Sequence, residues 1–449
     1  MGSNDLPEAL HAEQLLELAA QAGVKQAEVY QSRSLSRPVF FEANRLKQLE
    51  SSQSEGVALR LWREGCPGLA VAYGPVEPQD LVDRAIAMTY LNEPEPVELA
   101  GARTDHYPDL GETVPVETLV EMGKVAIAQI RDAYPEVLCT GQWECEEETT
   151  RLVNSQGLDC HYTDTTLSCF IGAEWVRGED FLSVYDGETE RGTLTSEKVV
   201  QQILQRLSWA KENVSPPSTR VPVLLTAKAA DLLWDTVQSA LNGKQVLEGA
   251  SPWSEMLRAR SQGVVLLTDL IPLVTSDTLT ITQQPDIGPY SCPFDDEGTP
   301  TQPLLLIREG RLQQFYCDRT TGRLLGTSTT GNGFRPGMGS YPSPGLVNML
   351  VQPGKGSLCD LIGQLDEGLV VDQLLGGGAG LSGEFSVNVE LGYRVQKGEI
   401  IGRVKDTMIS GNVYTVLKQL VALGGDADWN GPCYTPSLIV EGISTTGRS

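Results

Sequence analysis

Three consecutive acids, Asp295, Asp296 and Glu297, offer the oxygen ligands that Mg²⁺ or Ca²⁺ prefers, or the makings of an acid/base pair. Gly298 directly after them suits a turn between strands, and a solvated acidic turn is the plainer expectation. Cys160-His161 with Cys169 has the residue types of a zinc cluster, but the spacing is not ligand-like and a fourth ligand is missing. Cys160 or Cys169 with His106 would make a nucleophile–base pair only if the fold brought them together. Gly331-Asn332-Gly333 and Gly376-Gly377-Gly378-Ala379-Gly380 invite a phosphate cradle. Neither has the lysine and hydroxyl of a P-loop or the strand-loop-helix setting of a dinucleotide site.

The elements that must position these residues read as two cycles of strands and helices and then a more sheet-rich half. Leu6, Leu10, Leu15, Leu16, Leu18 and Ala19 recur at helical spacing up to Gly23. Strand-like runs follow at 27–30, 38–41 and 56–62, and again at 69–72, with a helix over 78–91. An acidic, proline-marked connection over 92–115 leads to a second helix at 116–132, strands at 151–154, 165–170 and 181–184, and a helix at 196–213. Pro216-Pro217-Ser218 is the expected linker between a domain 1–215 and a domain 220–449. Val221–Leu225 then feeds a helix over 227–242. From about 263 on the pattern is mainly strands, including 303–307 and 312–316, closed by a helix over 411–423. The fold class expected is α+β in two domains, the second richer in β-sheet.

Composition narrows the function. With 449 residues, 40% of them apolar, the chain can bury two cores. A net charge of −25, from 59 acids against 34 bases, repels a phosphate backbone, and pairs such as Arg258 and Arg260 are too isolated to override it. Nucleic acid is not an expected partner. No run approaches the roughly 20 apolar residues of a membrane span. The first residues lack the basic and apolar regions of a secretory signal. Nine scattered cysteines without a CxxC fit reduced thiols, so a cytoplasmic location is expected.

Beyond composition, an ordered series of short segments resembles the TldD/PmbA peptidase family. These are Phe294 to Gln302, the Glu309-Gly310 turn, Gly326 to Gly333, Asn348 to Gly354, Gly383 to Ser386, Lys397 to Ile400 and Ile409 to Asn412. Asn44, Gly56 to Arg60 and Asn154 to Gly157 extend the likeness towards the N-terminus. Active members of that family are similar to zinc peptidases with an HExxxH helix and a cysteine ligand near the C-terminus. Placed on this chain, the motif puts Trp234 at the first histidine, Asp235 at the glutamate and Ser239 at the second histidine. Indole does not ligate zinc and a serine hydroxyl replaces imidazole poorly. Only His11, His106 and His161 exist in the chain, none of them on this helix.

The resemblance therefore implies the TldE/PmbA-like branch. On that reading the chain has no catalytic residue, no cofactor site and no metal of its own. Its partner would be a zinc-bearing TldD-like subunit in a heterodimer, and its substrate an unfolded or small peptide. A homodimeric peptide- or ligand-binding protein is the alternative, and a metallopeptidase with an unrecognised metal site a second. The family's older association with DNA gyrase fits only an indirect effect at this charge.

Overall fold

The computed structural model describes residues 12–217, 220–256 and 272–447. The first half is one sheet flanked by helices. After helix α1 (Ala12–Gln21) come strands β1 (Gln26–Glu42), β2 (Arg45–Leu49), β3 (Ser52–Arg63) and β4 (Cys66–Tyr73), then helix α2 (Pro78–Thr89). Strand β5 (Arg103–His106) precedes helix α3 (Val116–Ala133). Strands β6 (Leu138–Asn154), β7 (Leu158–Arg177) and β8 (Asp180–Glu190) lead to helix α4 (Glu197–Trp209). The strand order is β4-β3-β1-β6-β7-β5, with β2 on β1 and β8 on β7. Both cycles of strands thus join a single sheet.

Sequence pattern explains the sides of that sheet. Alternation in β6 buries Cys139, Gly141, Trp143 and Cys145 on one face, as the two-residue period of a strand requires. Leu15, Leu59, Leu61, Leu81 and Val82 close a core between α1, α2, β1 and β3. A second core gathers α3, α4 and β6–β8. It runs on into Leu224, Val370, Leu391 and Tyr393 of the other half, so one apolar interior is shared across the junction.

The second half opens with strands β9 (Asn213–Val214) and β10 (Val223–Leu225) and helix α5 (Asp231–Leu241). A nine-stranded sheet carries β10 parallel to Glu367–Leu375, which pairs with the long strand Glu384–Gln396. A six-stranded sheet contains Ile281–Gln283, Leu304–Arg308 and Cys433–Thr435. The result is α+β in two domains, as expected.

Several expectations need correction. The helix predicted over 411–423 is a strand (Thr407–Asn412), one helical turn (Val413–Val416), a 3₁₀ turn (Leu417–Gln419) and a strand (Leu420–Leu423). Val413, Val416 and Leu417 are buried as a helical face would be, but Leu438–Val440 offers 420–423 an edge to pair with. Tertiary pairing overrode the local period. The connection over 92–115 contains β5, laid parallel on β7. Asn213–Val214, ahead of the prolines, already pairs with Arg403–Val404 of the second sheet. Of the run 312–316 only Leu312 is in a strand (Arg311–Leu312). Leu6, Leu10, His11, Ser218, Arg258, Arg260 and the onset of sheet at about 263 lie outside the described residues. Among the described residues, no helix is long and apolar enough to cross a membrane.

Candidate functional site

Helix α5 follows β10 after a turn at 227–230, and Asp231 in its first turn suits the positive end of the helix dipole. Its inner face packs Leu233, Trp234, Val237 and Leu241 into the core. Trp234 has no exposed surface, and its indole Nε1 donates to Thr435 Oγ1 at 2.7 Å, tying the helix to the six-stranded sheet. The helix stops at Asn242, whose side chain accepts from Lys244 N and starts the next short helix.

The outer face of α5 borders a cavity of about 290 Å³ lined by Tyr185, Lys228, Asp231, Asp235, Asp372 and Gln373, among others. A neighbouring cleft of about 400 Å³ shares Tyr185, Lys228 and Asn430 with it. The cations here are already spoken for. Lys228 pairs with Asp186, and Arg206 meets both Asp186 and Asp372, the latter at 2.6 Å. Asp231 accepts from Asn430 Nδ2 at 2.6 Å, but neither it nor Asp235 makes an ion pair among the described residues. Burial, and then the charge of Asp235, push the Asp231 carboxyl up to about 7 against the pull of Lys228. Burial likewise raises Asp235. The buried Cys433 thiol is held well above the ordinary range by burial, with Asp231 and Asp235 adding to it.

The degenerate motif positions thus part company. Trp234 is core, Asp235 faces the cavity, and Ser239 sits half-buried on α5. Among the described residues, no group of three or more His, Cys, Asp or Glu side chains is arranged to hold a metal ion. The indole at 234, expected from the resemblance at the place of the first ligand, is committed to Thr435. The residues present do not fit a zinc ion.

The remaining sequence candidates resolve as structure. The acidic turn is buried, not solvated. Asp295 accepts the N–H groups of Glu297, Thr299 and Gly333, Asp296 that of Arg335, and Glu297 that of Arg319. A turn that fills space between halves must be buried, and Gly298 (φ +73°) lies so near Leu158 and Leu152 that a Cβ would collide with them. Cys160 and Cys169 fall in separate cores, Cys160 bonding to Leu152 O. His106 faces His161 instead of a thiol, with their Nδ1 atoms 2.8 Å apart. Asn332 is fully buried, donating to Gln283 and Gly345, so the 331–333 loop is a packed knot. The loop at 376–378, by contrast, borders the cavity.

Sequence reading missed Lys228, Asp231, Asp372, Gln373, Tyr185 and Asn430. Asp231 alone left a signal, standing four residues before Asp235 on one helical face. The others converge from distant strands and loops.

Comparison with known proteins identifies the family and the fold. The model of the PmbA/TldA metallopeptidase C-terminal domain matches residues 218–447, and that of PmbA/TldA metallopeptidase domain 1 matches residues 27–89. The chain belongs to the PmbA/TldD family. An uncharacterized protein of Methanocaldococcus jannaschii is 26% identical over 96% of this chain and 98% of its own length. A metalloprotease TldD homolog of Buchnera aphidicola is 29% identical over 49% of this chain, a match spanning only 45% of that relative. In fold, the crystal structure of TldE from Thermococcus kodakarensis superposes with a TM-score of 0.86 at 23% identity, covering 97% of this chain and 99% of that one.

Proposed function

We propose that this chain is the TldE/PmbA-like, non-catalytic subunit of a cytosolic zinc metalloprotease complex that cleaves unfolded or small peptides. What carries the reading is Trp234, fully buried and bonded to Thr435 at the motif's first ligand position. Asp235 and Ser239 supply neither the full-length general base nor the second imidazole. The zinc-bearing TldD-like partner contributes the metal and the base. This chain contributes shape and a substrate path along the two adjoining clefts. Strand β8 supports that path, because it lines both clefts and pairs only with β7 among the described residues. The carbonyls of Phe181 and Tyr185 already accept from Arg403 and Gln373, so the stretch beyond Tyr185 is the part of its edge left for β-augmentation by an extended peptide.

The test is cleavage of an unfolded polypeptide by this chain alone, then by its mixture with a zinc-bearing relative. Chelator-sensitive cleavage by the mixture only, with co-migration on a sizing column, is the expected result. Cleavage by the chain alone, or separate migration at micromolar concentration, overturns it.

A further inference from the structure

The cleft of about 400 Å³ lies along the outer edge of β8, where Gly187, Glu188 and Thr189 all line it. Successive side chains of a strand point to opposite faces, so a space touching all three lies beside the edge rather than over one face. Strand β8 pairs with β7 antiparallel and without a register break, from Arg177 opposite Asp180 to Leu167 opposite Glu190. In such a pair alternate residues turn their N–H and C=O groups away from the partner strand. The carbonyls of Phe181 and Tyr185 are turned outward, since Arg403 and Gln373 of the second half donate to them. The same two-residue step brings Gly187 and Thr189 to the outside. The N–H of Gly187 bonds to Asp186 Oδ1 at 2.7 Å. Its carbonyl and both backbone groups of Thr189 meet no such partner among the described residues. Aromatic rings stand around this open stretch. Phe170 is directly opposite Gly187 on β7, and a Cβ added to Gly187 would lie 3.5 Å from its ring. Phe170 is 48% exposed and its ring centroid lies 5.9 Å from that of Tyr185. From the second half, Tyr290 and Trp429 bring a second ring pair to the cleft, with centroids 6.4 Å apart.

We propose that this cleft is a subsite for one aromatic side chain of an extended peptide, carried by the residue that pairs with Gly187 on the open edge of β8. The inference rests on the reading of this chain as a peptide-handling subunit. Directly opposed residues of neighbouring strands share a face of the sheet. The side chain opposite Gly187 therefore emerges on the face that carries Phe170 and Tyr185. Glycine puts no side chain in between, so an incoming ring reaches Phe170 across it. Aromatic rings meet edge-on or offset with a gain beyond the area they bury, which an aliphatic side chain of similar size does not obtain. The charged residues in the wall, Lys228 and Glu188, are one of each sign, and Lys228 is already bonded to Asp186. Neither a basic nor an acidic side chain is therefore favoured. The volume of about 400 Å³ admits one large side chain with the peptide units on either side of it.

Calorimetry on the full chain tests this with N-acetylated, amidated pentapeptides Ala-Ala-Xaa-Ala-Ala, in which Xaa is Phe, Leu, Lys or Ala. The Phe peptide is expected to bind about tenfold or more tightly than the Ala peptide, and ahead of Leu and Lys. Phe170→Ala should bring the Phe and Ala peptides together, and Phe170→Tyr should keep them apart. Both variants should melt as the parent does, because the ring is half exposed. The Phe peptide methylated on every backbone nitrogen has no donor for the strand edge and should bind as weakly as the Ala peptide. Equal affinity for all four peptides, a preference for Leu or Lys, or a preference for Phe that survives Phe170→Ala or backbone methylation overturns the proposal. Binding is read on the chain alone and cleavage on its mixture with a zinc-bearing relative. Absent aromatic preference with intact cleavage thus rejects only this subsite, and aromatic binding without cleavage rejects only the protease reading.

Discussion

Glu297→Gln is expected to stabilise the protein above neutral pH and leave it unchanged in mild acid. Burial, and next the charge of Asp295, push the Glu297 carboxyl up to about 8 from an ordinary value of 4.5. Burial raises the Asp295 carboxyl as well, against the pull of the three backbone N–H bonds it accepts, and Glu297, with fewer such bonds, is raised further. Between those two values the folded chain holds a proton that the unfolded chain has released. Stability therefore falls as pH rises through that window and is level above it. At about 1.4 kcal/mol per unit the full gap corresponds to about 5 kcal/mol. Relaxation and water entry reduce this to about 3 kcal/mol. A glutamine carries no titrating proton and keeps an oxygen for the N–H of Arg319. Calorimetric Tm values at pH 4 and 8.5 should then agree in acid and differ by about 3 °C in base, the variant being the higher, because a chain of this length unfolds with an entropy of about 0.9 kcal/mol/K. Asp296 and Asp231 shift in the same sense but are common to both proteins, so the difference reports Glu297 together with the Asp295 beside it. A variant that melts lower at both pH values, or one that keeps the wild-type slope, refutes the reasoning.

Two further substitutions test other links. Trp234→Ala should cost about 3–5 kcal/mol in chemical denaturation, as for a large aromatic removed from a packed core; a loss below about 1 kcal/mol would mean that the indole does not fill the site. Glu28→Gln should cost about 3–5 kcal/mol, because buried Arg60 (2.9 Å) and Arg335 (2.7 Å) both depend on that carboxylate, and an unchanged Tm would show that neither guanidinium relies on it.

How much could be seen beforehand follows from the range of the forces involved. The helices at 78–89, 116–133 and 231–241 were legible because their apolar spacing is local. That Trp234 and Ser239 are poor zinc ligands is a matter of side-chain chemistry and needs no fold to see. The cavity was not legible. Tyr185, Lys228, Gln373 and Asn430 meet only through the pairing of strands far apart in sequence. The acidic turn was recognised as structural, but its burial was hidden, because Asp-Asp-Glu-Gly reads as solvent-exposed until Arg319, Arg335 and Gly333 arrive to satisfy it. The predicted helix at 411–423 failed for a related reason, since its competitor, Leu438–Val440, lies beyond the window in which periodicity is read.

The acidic turn also dictates an order of events at the ribosome. Phe294 packs on Ala100, Leu152, Leu158 and Cys160, Arg103 reaches Gly298 O, and Arg335 pairs with Glu28 across 307 positions of sequence. The first sheet is complete by Glu190, yet its bay of tyrosines and leucines is not covered until the chain has been made to 335. At ordinary synthesis rates that interval lasts roughly 10–30 s. During it the nascent half presents an open apolar surface beside an Arg60–Glu28 pair that Arg335 has not yet joined.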